Sequence, residues 1–382
     1  MAFSEHHLPE SHFRYLRYCG VYPRPTVGSR LRVWYTCVLL CIFVPLHLAY
    51  IVHNSTSDLM ETCEEIMLMQ VCTTAMLKFN IFFSNREKMY ALLEAFKNIH
   101  VRFGEVEELY RFVRCHDMHA KLRRIYIIST TVVASLYVLN AVTASVTLSL
   151  QSGTLRFVTP MNFPYNYQHP VVFGLSFIYN IETMIMTMCI SVTVDTCFSE
   201  LSNDLALHFD IVGKRFAKLD FSAPVSTTAE RELIRLIGYH GELLELAGKM
   251  MQQFQQVIFF LLLMVSTILC VLGYEFVIVT SVSKRLQVVA MAAVFITQAV
   301  IYTYNGSLVT EKSAAVSEGI YACNWYEASP AIKKTIYFCL MRAQKPIVMK
   351  SGFIEATLPT LKKILSSSGS YITMLLSLES DV

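Results

Sequence analysis

Apolar residues gather along the chain in seven runs of roughly twenty, the length that carries an α-helix across a hydrocarbon core of about 30 Å. The runs cover about 33–53, 65–84, 126–148, 171–198, 254–276, 288–308 and 358–378. Lys78 interrupts the second and serines dilute the seventh, so these two carry the weakest signal. The polar stretches after the second, fourth and sixth runs are far longer than ordinary interhelical connections, and they keep a helical period of their own. In one of them Leu233, Ile237, Leu243, Leu244, Leu246, Met250 and Met251 recur at spacings near three and four with charges between. In another, Ser329-Pro330 predicts an N-cap followed by proline at the first helical position. Ile332, Ile336, Cys339, Leu340 and Ala343 then continue an apolar face beside Lys333, Lys334, Arg342 and Lys345. These extra helices are expected to project from the membrane and to pack on one another or on a partner subunit.

Composition turns the run pattern into a membrane protein. With 54% hydrophobic and 16% charged residues and a mean hydropathy of +0.45, the 382-residue chain has too little polar surface to cover its apolar surface in water. The net charge of +3 is small and its basic residues are spread over many connections, so no nucleic-acid footprint and no nucleic-acid partner is expected. The first residues lack the basic start, short apolar core and small-residue cleavage site of a removable signal peptide, so the first run is expected to direct insertion itself.

Lys and Arg are retained on the cytoplasmic side of a membrane. Arg14, Arg17, Arg24, Arg30 and Arg32 precede the first run, whereas the connection after it holds acids and no base. Nine bases lie in 85–125, six in 200–253 and six in 309–353; on the alternate side stand only Arg156, Lys284 and Arg285. The alternation predicts seven spans with the N-terminus in the cytoplasm and the C-terminus outside, the reverse of a rhodopsin-type receptor. The fold class expected is all-α. The sequon Asn54-Ser55-Thr56 falls on the outer side close to the membrane, and Asn305-Gly306-Ser307 falls within a span.

No metalloprotease, nucleophile-elbow, P-loop or dinucleotide motif occurs, and no Cys-x-x-Cys pair, so no catalysis, metal or cofactor is expected. Ionisable residues inside spans are functional hypotheses by default. Lys78 and Asp195 stand toward the inner ends of their spans, where they snorkel or meet each other; Glu275 lies near the outer surface, and Glu182 lies deepest. In the last span Ser366, Ser370, Thr373 and Ser377 are spaced four, three and four apart and share one stripe. Such a stripe borders water or lets helices approach closely, and spacing alone leaves both open.

The segment AAVSEGIYACNWYEASPAIKKTIYFCLMRAQKPIVMKSGFIEATLPTLKKILSSSGSYITMLLSL, 314–378, carries an ordered set: a Tyr then Trp-Tyr, a basic helix ending in Arg-Ala-Gln-Lys-Pro, a glycine-containing link, and a closing Ser-Tyr-x-x-x-Leu. It resembles the C-terminal signature of insect odorant receptors, and LKFNIFFSNREKMYALLEAF at 77–96 is similar to the family too. The resemblance implies a ligand-gated, non-selective cation channel of the plasma membrane that needs no G protein. In it a tuning subunit assembles with a shared olfactory co-receptor as a tetramer. It divides the chain into a cytoplasmic segment (1–32), a ligand-binding bundle (33–309) with helical extensions (85–125 and 199–253), anchor helices (310–352), and a pore-lining helix with an outer tail (353–382). The family's gate positions fall on Met374, Ser377 and Leu378, beside the hydroxyl stripe. The co-receptor resembles a chain with a longer 200–253 connection, so this chain looks like a tuning subunit. A gustatory receptor of the same architecture is the alternative, with a closing Thr-Tyr-x-x-x-Leu-x-Gln-Phe that this chain lacks; a secondary transporter is a weaker one.

On the resemblance, an odorant enters from outside, so its pocket is expected in the outer halves of the spans. The candidates are Met67, Gln70, Val71 and Thr74; Tyr137, Asn140, Ala141 and Ala144; Phe173, Phe177, Asn180, Ile181 and Met184; Leu272 and Tyr274; and Val289, Ala292, Phe295 and Ile296. This mostly apolar, aromatic and methionine-rich set suits a small neutral volatile held by dispersion and desolvation with one orienting hydrogen bond. Its Phe and Tyr favour an aromatic odorant, and no cation stands ready to pair with a carboxylate.

Overall fold

The computed structural model describes residues 27–54, 59–103, 106–152, 157–167, 169–222 and 226–380. Nearly all of this is helix: α1 (Val27–Asn54), α2 (Leu59–Ser84), α3 (Arg86–Phe103), α4 (Val106–Ser152), α5 (Pro170–Ala217), α6 (Ser226–Ile278), α7 (Val282–Ala322), α8 (Pro330–Ala343) and α9 (Leu358–Ser380). A 3₁₀ turn (Trp325–Glu327) precedes α8, and a two-stranded antiparallel hairpin of β1 (Lys350–Ser351) and β2 (Ile354–Glu355) joins α8 to α9. Gly352 takes a φ of 58° at the tip of that hairpin, where a side chain would be strained.

Each expected span lies inside a helix. Among the described residues, six helices are long and apolar enough to cross a membrane: α1, α2, α4, α5, α6 and α7. The seventh, α9, has 23 residues, and Lys362, Lys363 and its serines dilute its apolar character. Four spans do not stop at the membrane edge. With 48 residues α5 is roughly 70 Å long, more than twice a hydrocarbon core, and α4, α6 and α7 overrun it similarly. No proline interrupts α5 after Pro170 at its first position, so nothing breaks the helix where the lipid ends.

The overrunning halves share one continuous apolar core with the spans above them. Phe198, Leu201, Leu205, Phe209, Val212 and Phe216 of α5 are buried against Leu233, Tyr239, Leu243, Leu246 and Met250 of α6 and Val309, Val316 and Ile320 of α7. The expected apolar period is visible here: Leu233, Leu243, Leu246 and Met250 point inward, while Ile237, Leu244 and Met251 flank them half-buried. The α5 and α7 backbones cross in near contact at Gly213 and Gly319, where a Cβ on Gly319 would lie 2.1 Å from the Gly213 carbonyl oxygen. Below this crossing Asn324 ties the end of α7 to the α5–α6 turn. Its amide donates to Asp220 Oδ1 (2.5 Å) and its carbonyl accepts from the Phe221 N–H (2.8 Å). Hydrogen bonds from the Ser222 hydroxyl and backbone N–H and from Asn324 hold the Asp220 carboxyl below its usual range.

One detail differs from expectation. α8 starts at Ser329-Pro330 as predicted, but the Ser329 hydroxyl makes no capping bond; the residue is extended, and Pro330 supplies the start by its fixed φ. Its predicted face is inward at Ile336, Cys339 and Ala343.

Candidate functional site

The site is built where α2, α4, α5, α6 and α7 converge between the α5–α6–α7 core and the distal end, meaning the end where α1 meets α2, α4 meets α5 and α6 meets α7. Midway along α5, Asp195 forms its floor. The Lys78 ammonium reaches Asp195 Oδ1 at 2.6 Å with both side chains fully buried. Tyr302 donates to the same oxygen (2.7 Å), and Tyr126 and Gln298 donate to Oδ2 (3.0 and 2.6 Å). One carboxylate therefore ties α5 to α2, α4 and α7. Of the two sequence alternatives for Lys78 and Asp195, the structure has them meet. Phe198 stacks on Tyr302 at 4.5 Å and meets Phe254 edge-on at 5.2 Å, and Phe254 in turn meets Phe82, so the network is sealed by aromatic rings from water on one side. One turn further, Arg123 pairs with Glu200 at 2.7 Å and Asn203 bonds Asn305. A buried charge needs such partners, and it fixes the relative rotation of the helices that supply them.

Above that floor the structure brings many of the candidates together. Met67, Tyr137, Ala141, Leu272 and Phe295 are buried in one continuous apolar cluster, and Val71, Phe177, Ile181, Met184 and Ala292 pack against it. Tyr274 is buried near the distal end and Thr74 is half-buried, its hydroxyl bonded back to the Gln70 carbonyl. The Gln70 side chain accepts from Thr267 of α6 (3.2 Å).

Other candidates stand differently. Val289 and Ile296 are 50% and 37% exposed on the outer face of α7, because the inward face of that helix follows Val288, Met291, Phe295 and Ala299 and each of the two sits one residue past it. Asn140 is exposed and reaches inward only through its amide, which donates to Gln287 Oε1 at 3.3 Å. Asn180 is buried, but its amide is consumed by Thr159: it accepts from the Thr159 N–H and donates to both the carbonyl and the hydroxyl oxygen. It fastens the connection between α4 and α5. The side chain of Ala144 lies outside the described residues.

That connection was not legible as part of the site. Residues 157–167 fold inward, burying Phe157, Met161 and Phe163 with Phe43 of α1 and Cys72 of α2, and Phe173 and Phe177 pack onto this second cluster. Phe157 stacks on Phe173 at 4.9 Å and Phe173 on Phe177 at 5.6 Å, so Phe177 belongs to both clusters and forms the wall between them. His47 completes the fastening, with Nδ1 2.7 Å from the Pro160 carbonyl and Nε2 2.9 Å from the Glu65 carbonyl. A second missed group is charged. Lys284 stands on α7 between Glu64 (3.1 Å) and Glu275 (3.8 Å), so a cation is present at the distal end and two acids already hold it. Glu182 is half-buried on α5.

The last helix has two faces. Ser368 is buried and its hydroxyl donates to Ser266 O of α6 at 3.3 Å, and Ile372 lies over Gly273, where a Cβ would come within 2.0 Å of its Cδ1. Ser366, Ser370, Thr373 and Met374 are exposed on the roughly opposite side, away from the chain's own helices. The side chains of Ser377 and Leu378 lie outside the described residues. At its start α9 is tied to α7: Ser307 Oγ accepts from the Leu358 N–H at 2.9 Å, and Gly306 lies against the Ala356 carbonyl.

Comparison with known proteins agrees with this architecture. Residues 58–369 match the family model described as 7tm Odorant receptor. The chain is 21% identical over 344 residues to Odorant receptor 82a of Drosophila melanogaster, covering 87% of this chain and 88% of that one, and 24% identical over 344 residues to Odorant receptor 47a of the same fly. Among solved structures, the olfactory receptor OR5 from Machilis hrabei, determined with and without eugenol, superposes with a TM-score of 0.79 at 14 to 15% identity, over 97% of each chain.

Proposed function

The chain belongs to the 7tm odorant receptor family, a multi-pass membrane receptor rather than an enzyme, and from that premise we propose that it is the odorant-tuning subunit of a ligand-gated, non-selective cation channel in the plasma membrane. Its N-terminus lies in the cytoplasm, its C-terminus outside, and it assembles with a shared co-receptor, four subunits around one pore. The cluster of Met67, Tyr137, Ala141, Leu272 and Phe295, bounded by Phe177, holds a small neutral volatile, and aromatic compounds suit its ring-rich wall.

The observation that carries the channel reading is the division of α9. Its packed face is fixed on α6 by Ser368 and Ile372, so Ser366, Ser370 and Thr373 are turned outward from the subunit as a polar stripe in a helix that lipid would otherwise surround. Four such helices facing one another give a hydroxyl-lined path, with Met374, Ser377 and Leu378 as its constriction. The partner reading is supported at the other end of the molecule, where Tyr321, Tyr326, Tyr337, Phe338 and Met341 are exposed, large apolar side chains of the kind that interfaces cover.

Whole-cell recording over a panel of volatiles, with and without the co-receptor, tests the reading: odour-evoked current is expected only with both subunits. Silence in both arms, with surface expression confirmed, would reject it. Met374→Ala is expected to change resting leak or ion selectivity and leave the order of odorant potencies unaltered, since gate and pocket are separate sites coupled through helix movement. Phe177→Ala should do the reverse, shifting potencies roughly tenfold or more at unchanged single-channel conductance, because it opens the wall between two aromatic clusters.

A further inference from the structure

We infer that Gln287, near the start of α7, selects ligands that carry a neutral oxygen, acting with Tyr137 of α4 as the hydrogen-bonding station of the pocket; this rests on the ligand-pocket reading above. The polar side chains around the apolar cluster can be sorted by what already occupies them. Thr74 and Thr183 bond back to carbonyls of their own helices at 2.8 and 2.9 Å, and Asn180 is taken up by Thr159. Gln70 receives Thr267. Gln287 is different: it is 7% exposed, and Val288, Met291 and Phe295 follow on the inward side of the same helix. Its Oε1 accepts from Asn140 at 3.3 Å, which orients the amide against α4 one turn from Tyr137, whose buried side chain stands in the apolar cluster. A primary amide has two N–H donors and a phenol has one O–H, so the two side chains together offer donors to a carbonyl, ether or hydroxyl oxygen.

Charge sharpens the selection. Three residues before Gln287, the Lys284 ammonium is already shared by Glu64 (3.1 Å) and Glu275 (3.8 Å), two acids to one cation. A carboxylate seated at this station meets an excess of negative charge, whereas a ketone or alcohol of the same skeleton meets only donors. A hydrocarbon fills the cluster but leaves the amide and phenol unanswered by any ligand oxygen.

The test uses the full chain with the co-receptor and two matched probe sets: ethylbenzene, phenylethanol, acetophenone and phenylacetate; and heptane, heptanol, heptanal and heptanoate. Wild type is expected to answer the alcohols and carbonyl compounds at least tenfold more sensitively than the hydrocarbons and to ignore the carboxylates. Gln287→Leu should lower potency for the oxygenated members roughly tenfold, the worth of a good hydrogen bond, and leave the hydrocarbons unchanged or improved. Tyr137→Phe, which removes only one oxygen atom, should act in the same direction at unchanged surface expression. A wild type that answers hydrocarbons as well as their oxygenated partners, or a Gln287→Leu variant that shifts all members equally, overturns the inference while leaving the receptor reading intact. Silence of wild type toward both sets and toward the wider panel, at confirmed surface expression, defeats the receptor reading and the inference together.

Discussion

Asp195→Leu is expected to leave the protein largely absent from the cell surface and sharply less heat-stable in detergent. The substitution deprives the buried Lys78 ammonium of its counterion and removes the common acceptor of Tyr126, Gln298 and Tyr302. Breaking a buried pair from one side costs about 3–5 kcal/mol, and each buried donor left unmatched adds about 1–3 kcal/mol. Lys78→Met should be milder, because the carboxylate keeps three neutral donors. The double variant, Lys78→Met with Asp195→Leu, should recover only part of the loss, since removing the charge from both sides still strands two hydroxyls and an amide. Thermal unfolding of the three purified variants checks the order. Wild-type stability in Asp195→Leu would mean that the four helices are held by apolar packing alone.

A second large effect is expected from a single methyl group. In Gly306→Ala the new Cβ would stand 1.9 Å from the Ala356 carbonyl oxygen, a distance no backbone tolerates, so α7 and the hairpin leading into α9 must move apart. Overpacking of this kind costs about 1–3 kcal/mol or more, and here it falls where Ser307 receives the first N–H of α9. On the channel reading proposed above, protein that reaches the surface should show currents reduced at least tenfold at saturating odorant, with potency little changed, since the proposed pocket residues lie earlier on α7, toward the distal end. Gly248→Ala is the control: nothing lies within 4 Å of its Cβ, and a helix interior favours alanine over glycine by about 0.5–1 kcal/mol, so expression should hold or rise. Equal behaviour of the two variants in surface-normalised current recordings would refute the proposed joint.

Much of the fold was legible because its signals are local. Run length marked the spans, the three-and-four spacing of Leu233 to Met250 marked the part of α6 beyond the membrane, and Ser329-Pro330 marked the start of α8. The ordered residues from Tyr321 to Leu375 pointed to the family now shown by a match over 58–369. What escaped depends on partners far along the chain. The rotation of α9 is set by Ser266 and Gly273 on another helix, about a hundred residues away, and no pattern within α9 contains that information. Asn180 reads as a pocket amide until Thr159 is found beside it. Val289 and Ile296 are apolar, like their neighbours, and only the packing of Val288 and Phe295 decides which side of α7 is inside. The aromatic residues of 157–167 lie in a short connection with no period, so nothing in their order announces that they turn inward under α1. Gln287 stands just before the apolar run of 288–308, because the helix begins at Val282, earlier than its hydropathy does.

The unbroken length of α7 has a mechanical consequence. One stiff rod of 41 residues passes beside the proposed pocket at Phe295, through the Asp195 network at Gln298 and Tyr302, past the root of the last helix at Gly306, and across α5 at Gly319. With no proline along it, α7 carries a push as one body, and above the Gly319 crossing it takes α5 with it through Asp195 and the Asn203–Asn305 bond. Whatever wedges the distal end sideways therefore has to shift α5 and α7 together, and with them the root of α9 held at Gly306 and Ser307.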